Sequence, residues 1–199
     1  MIRSRIRRGG AKASAAVNGV PVVGFVGSSG SGKTTLITAV LPLLMECGRR
    51  VGVVKHARHG FDLDRPGKDS HRLREAGATQ VMVASRERWA LMTETLAAGP
   101  EPPFRSLLQQ FDPQLVDLVL AEGFAGEPYP KIEVYRPERG NPPKCWPTDP
   151  WVVAVATDVL VAVSPPVVRL DLNRPFAIAT YILEQFPANL GPTAVRHAD

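Results

Sequence analysis

Cysteine is scarce in this chain: Cys47 and Cys145 are the only two among 199 residues. They stand far apart with no C-x-x-C spacing, so neither a disulfide framework nor a thiolate zinc site organises the fold. Long apolar runs are missing too. The greasiest stretch, residues 151–163, is cut by Thr157 and Asp158, short of the roughly 18 residues a membrane-spanning helix needs. Acidic residues are absent from the first twenty positions, where Arg3, Arg5, Arg7, Arg8 and Lys12 hold the whole formal excess of +5. Beyond them basic and acidic residues balance, so no nucleic-acid footprint is expected. The same leading segment lacks the apolar centre of a secretory signal; its composition suits an organellar transit peptide and equally a floppy basic tail, the tail is preferred, and a cytoplasmic location is expected.

What is present, 44% hydrophobic and 22% charged residues, is the mix of one ordinary globular domain. The organisation expected is a basic tail over 1–19, a single domain over 20–186 and a frayed tail over 187–199. Residues 20–26 form a continuous apolar run, as in a strand covered on both faces. Thr35 to Cys47 repeats apolar residues at helical spacing through Leu36, Val40 and Leu44 and stops at Gly48, with Pro42 inside. A strand at Val51 to Lys55 and a short helix from Asp69 to Ala76 follow, the helix capped by Gly77. Val81 to Ala84 and Trp89 to Thr93 read as a hairpin around the charged turn 85–88. A helix is expected between Pro103 and Pro113, and strands at Leu118 to Ala121, Ile132 to Tyr135 and Val152 to Ala156. The prolines of residues 136–150 make that stretch a loop. A last helix follows Pro175. Strands alternating with helices predict an α/β fold with a largely parallel sheet, whose ligands gather at the carboxyl ends of the strands.

Gly27, Ser28, Ser29, Gly30, Ser31, Gly32, Lys33 and Thr34 match G-x-x-x-x-G-K-[ST] at every fixed position, between a strand and a helix. Small residues let the backbone wrap a phosphate, amides and the helix start supply positive potential, and Lys33 adds a full charge. A turn that merely capped a helix would have no use for that lysine. Thr34 would place its hydroxyl on Mg²⁺. The acid completing a metal site is expected from Glu122, at the tip of a buried strand, with Asp69 as second candidate and a plain helix-start role as its alternative. Lys55 and His56 offer charge and donors to an anion. The wider His56, His59, Asp62 and Asp64 cluster invites a transition-metal reading, with a solvated loop as the bland competitor. Asp158 could read guanine, because a carboxylate accepts from both the ring N–H and the exocyclic amine; a turn-forming Asp fits equally well.

Taken with Val54-Lys-His56, residues 66–70, Ala76-Gly-Ala78, Arg88-Trp-Ala-Leu-Met92, Leu120-Ala-Glu-Gly-Phe124 and Pro130-Lys-Ile132, the sequence resembles the MobB adapters of molybdopterin-guanine dinucleotide biosynthesis. The resemblance covers residues 22 to about 175. It implies a three-layer P-loop NTPase fold with a β-hairpin extension, and GTP and Mg²⁺ binding along residues 27–34 with Thr35 and Ser85. It also implies weak hydrolysis, a homodimer to which the hairpin contributes, and assistance to the MobA transferase that attaches GMP to molybdopterin. The Arg-rich tail and the Ala57-Arg58 pair depart from the family pattern. Three rivals share the P-loop. A small-molecule kinase or ligase would need a poised base, and none is evident in the sequence. A nickel-delivery GTPase rests on two histidines alone. A nucleic-acid ATPase is weakened by the neutral body.

Overall fold

The computed structural model describes residues 16–57, 60–95, 99 and 101–188. These form two compact units, one of residues 16–56 and 104–188, the other of residues 57–103. The hairpin region falls in the smaller unit.

In the larger unit, β1 (Ala16–Val17) turns back through Asn18 and Gly19 onto β2 (Val20–Val26) in antiparallel pairing. Then follow α1 (Lys33–Glu46) and β3 (Val51–Lys55). After the smaller unit come α3 (Phe104–Leu108), β6 (Leu118–Glu122), β7 (Lys131–Tyr135), β8 (Val152–Thr157), β9 (Val168–Asp171) and α4 (Pro175–Gln185). The sheet order is β3-β6-β2-β7-β8-β9, every pair along it parallel. β9 is a strand for which the sequence carried no expectation.

Strand alternation sends Val23, Phe25, Leu120, Ile132, Val134 and Ala156 to one face, where α1 and α4 cover them with Val40, Leu44, Ile178 and Ile182. The opposite face is covered in two ways. Over β2 and β6 lie Phe104 and Leu108 of α3 with Tyr129. Gly24 is required there, because a Cβ at that position would lie 2.4 Å from the Tyr129 ring. Over β7 and β8 the loop carrying Cys145 packs on Val26, Val152 and Val155. It is held by charge. Buried Glu133 accepts the backbone N–H groups of Lys144, Cys145 and Trp146, and buried Lys131 pairs with Asp149 at 2.6 Å. Burial pushes the Cys145 thiol up from its ordinary value.

The smaller unit holds α2 (Asp69–Glu75) and the antiparallel pair β4 (Gln80–Ala84) and β5 (Trp89–Thr93). Arg74 ties it together, reaching Asp62 at 3.0 Å and Glu94 at 3.2 Å. Its hydrogen bond holds the Asp62 carboxyl below the usual carboxylate range. Gly77 follows α2 with φ 104°, as expected of a left-handed cap. Trp89 is 64% exposed and so lies outside the core.

Candidate nucleotide site

Residues 27–34 leave the carboxyl end of the central strand β2 and wrap into α1. Gly27 has φ 137° and a backbone so close to Val134 that a Cβ would lie 2.4 Å from its carbonyl oxygen; Gly32, the residue before α1, has φ 97°. Only glycine meets both demands. No side chain caps α1, no acid occupies its first turn, and the Ser31 hydroxyl is buried without a partner. An uncapped helix start with inward-facing donors is what an anion needs. Lys33 curls back, donating from Nζ to the Gly27 carbonyl at 3.1 Å and the Ser28 carbonyl at 2.8 Å.

β6 pairs with β2 on one side and β3 on the other, and the register sets Glu122 opposite both Phe25 and Lys55. Three groups converge there. Thr34 Oγ1 donates toward Glu122 Oε1 at 2.8 Å and Oε2 at 2.9 Å, while Lys55 Nζ lies 2.9 Å from Glu122 Oε1 and 3.2 Å from Thr34 Oγ1. The Glu122 side chain is 11% exposed and that of Lys55 55% exposed. A hydroxyl and a carboxylate around an ammonium form a cation site of hard oxygen donors, and this donor set fits Mg²⁺. The sequence pairing of Thr34 with Glu122 is thereby brought together in space.

His56 follows Lys55, donates its backbone N–H to the Glu122 carbonyl and stacks on Phe124 at 5.1 Å. Gly123, with φ 94°, lets the two strand ends approach: a Cβ there would meet His56 Cβ at 2.9 Å. Thr35 lies exposed in the first turn of α1. Asp69 and Ser85 belong to the smaller unit. Asp69 opens α2 beside Arg72, and the Ser85 hydroxyl accepts from the amides of Glu87 and Arg88 in the hairpin turn. His59 lies outside the described residues, and among the described residues no cluster of three His, Cys, Asp or Glu side chains could hold a metal ion.

On the other flank of the P-loop, β7 and β8 end in register at Tyr135 and Thr157, so Arg136 and Asp158 emerge side by side. Arg136 pairs through Nη1 with Asp158 Oδ2 and donates from Nε to the Ser31 carbonyl at 3.2 Å. Reading the sequence did not single out Arg136, although a cation directly after a buried strand was available as the signal.

This geometry has counterparts. The sequence model described as molybdopterin guanine dinucleotide synthesis protein B, MobB, matches residues 22–158. The chain belongs to the MobB family. The molybdopterin-guanine dinucleotide biosynthesis adapter protein of Haemophilus influenzae is 46% identical over 167 residues, covering 83% of this chain and 89% of the relative. That of Escherichia coli is 42% identical over 165 residues, covering 83% and 93%. The crystal structure of Bacillus subtilis MobB superposes with a TM-score of 0.63 at 26% identity, covering 83% of this chain and 98% of that one. The mostly parallel P-loop architecture is thus shared with solved MobB structures. The family places the chain in the making of the dinucleotide form of the molybdenum cofactor, and no helix among the described residues is long and apolar enough to cross a membrane.

Proposed function

We propose that the protein is a GTP-binding adapter that assists a MobA-type guanylyltransferase in joining GMP to molybdopterin. The observation that carries the reading is the convergence of the P-loop Thr34 with Glu122 at a site where a cation already sits. In this reading residues 27–34 with Thr35 cradle the phosphates, Lys33 turns from its two carbonyls to the β- and γ-oxygens, and Thr34 and Glu122 hold Mg²⁺. The metal, when bound, neutralises phosphate charge. Lys55 and His56 face the anion from the neighbouring strand end. Glu122 is engaged by Thr34 and Lys55 and so serves as a ligand-holding group rather than a poised base, which favours an adapter with weak hydrolysis over a kinase or ligase. Molybdopterin is the pathway ligand, and the setting is cytoplasmic.

The exposed hairpin is the candidate homodimer surface. A two-stranded ribbon is marginal alone and gains by pairing with a second copy.

Calorimetric titration with GTP, ATP and molybdopterin tests the reading, with Lys33→Ala as the decisive variant. Loss of nucleotide binding in a folded Lys33→Ala protein is expected, since the loop needs no charge there and the phosphates do. Unchanged GTP affinity would refute the site.

A further inference from the structure

We propose that Arg136 is a nucleotide-contacting residue, held in place by Asp158, and that Asp158 acts through this arginine rather than by touching the base. The inference rests on the nucleotide reading above and adds a residue to it.

The sheet fixes the direction in which a nucleotide must lie. Thr34 and Glu122 mark the metal end, on the β6 side of the P-loop. The phosphate chain therefore leaves toward β7 and β8, where Arg136 and Asp158 stand. Arg136 is a cation of that flank. A Cβ on Gly32 would lie 3.7 Å from its Nε and 4.0 Å from its Nη2, so the guanidinium lies against the start of α1, where an anion is received. Its side chain is 32% exposed and the Asp158 side chain 13% exposed. Asp158 turns one oxygen to Arg136, and its other oxygen, Oδ1, is buried with no donor upon it. A guanine needs both oxygens of an open carboxylate to be read. This one is turned inward, and its work is to aim a planar, permanently charged fork at the α-phosphate.

The test uses the full chain and four variants: Arg136→Met, Arg136→Lys, Asp158→Asn and the double variant Arg136→Met/Asp158→Asn, with binding of GTP, GDP, ATP and ADP measured by calorimetry and folding by circular dichroism. Arg136→Met is expected to weaken all four nucleotides by a similar factor, about thirtyfold, the scale of one charge-assisted hydrogen bond. The half-saturating Mg²⁺ concentration should stay as in the wild type, because the metal lies on the other flank. Arg136→Lys should recover part of the loss. The double variant leaves no unpaired buried charge and should bind as Arg136→Met does. Wild-type affinity in Arg136→Met overturns the proposal, as does a changed GTP-to-ATP preference in Asp158→Asn, which would make that carboxylate a base reader. If the wild-type chain binds no nucleotide, the P-loop reading itself has failed. If the wild type binds and Lys33→Ala does not, while Arg136→Met is unaffected, this inference alone has failed.

Discussion

Lys55→Met should make Mg²⁺ bind more tightly, although it removes a residue from the site. The Lys55 ammonium lies between Thr34 Oγ1 and Glu122 Oε1, at 3.2 and 2.9 Å. A metal can take those oxygens only by displacing it, so whatever the ion pair contributes is subtracted from metal affinity. Glu122 is nearly buried, which raises the worth of the pair, but Lys55 is more than half exposed. Solvent screening brings the figure down from the range of a charge-assisted bond to about 1 kcal/mol. That converts to about a fivefold lower half-saturating Mg²⁺ concentration. The measurement is an Mg²⁺ titration of GDP binding, since GDP has no γ-phosphate for the displaced ammonium to follow. Raising the ionic strength should narrow the gap, and Lys55→Arg should keep the midpoint at or above that of the wild type. A Lys55→Met midpoint equal to or higher than the wild-type value would refute the reasoning.

Three further outcomes are expected. Gly24→Ala should cost about 1–3 kcal/mol of stability, read as a lower denaturant midpoint, because its Cβ would overlap the buried Tyr129 ring; an unchanged midpoint would mean the ring can move away. Trp89→Glu should give a folded chain, since the residue is 64% exposed, and a monomer by light scattering; a folded dimer would remove Trp89 from the interface. Burial pushes the Tyr181 hydroxyl up to about 12, above an unfolded value near 10. The unfolded chain then loses its proton first, so stability should fall as pH rises from about 10 to about 12, and Tyr181→Phe should flatten that fall.

Legibility in the sequence followed the range of the interactions. The P-loop is local: the residues that bend it, charge it and start its helix are contiguous, so its ligand class was readable from residues 27–34. Glu122 was readable because a carboxylate ending an apolar run is costly unless a cation answers it. Arg136 and Asp158 are different. They meet only because β7 and β8 are parallel neighbours ending in register, and nothing local announces which strands adjoin. β9 has four residues with an alternating pattern behind two prolines, too brief to separate from a turn. Tyr129 and Glu133 were missed for the same reason as Arg136, since their partners, Gly24 and the amides of residues 144–146, lie on other segments. The separateness of the hairpin region reflects where contacts are dense, which sequence periodicity does not record.

The three amides gathered on Glu133 make that carboxylate the pin of a latch over residues 144–146, with the Lys131–Asp149 pair as a second tie a few residues on. The three amide bonds share one acceptor group, so they should break together, and residues 144–146 should open as one event rather than one bond at a time. The chain carries its own reporter of that event. Cys145 is buried under the latch, whereas Cys47 is exposed. A thiol reagent should therefore label Cys47 at once and Cys145 only as often as the pin is drawn, at a rate matching hydrogen exchange at the Lys144 and Trp146 amides. Because this loop packs on Val152 and Val155 of β8 and on Val26 at the end of β2, its opening would uncover the sheet beside the P-loop.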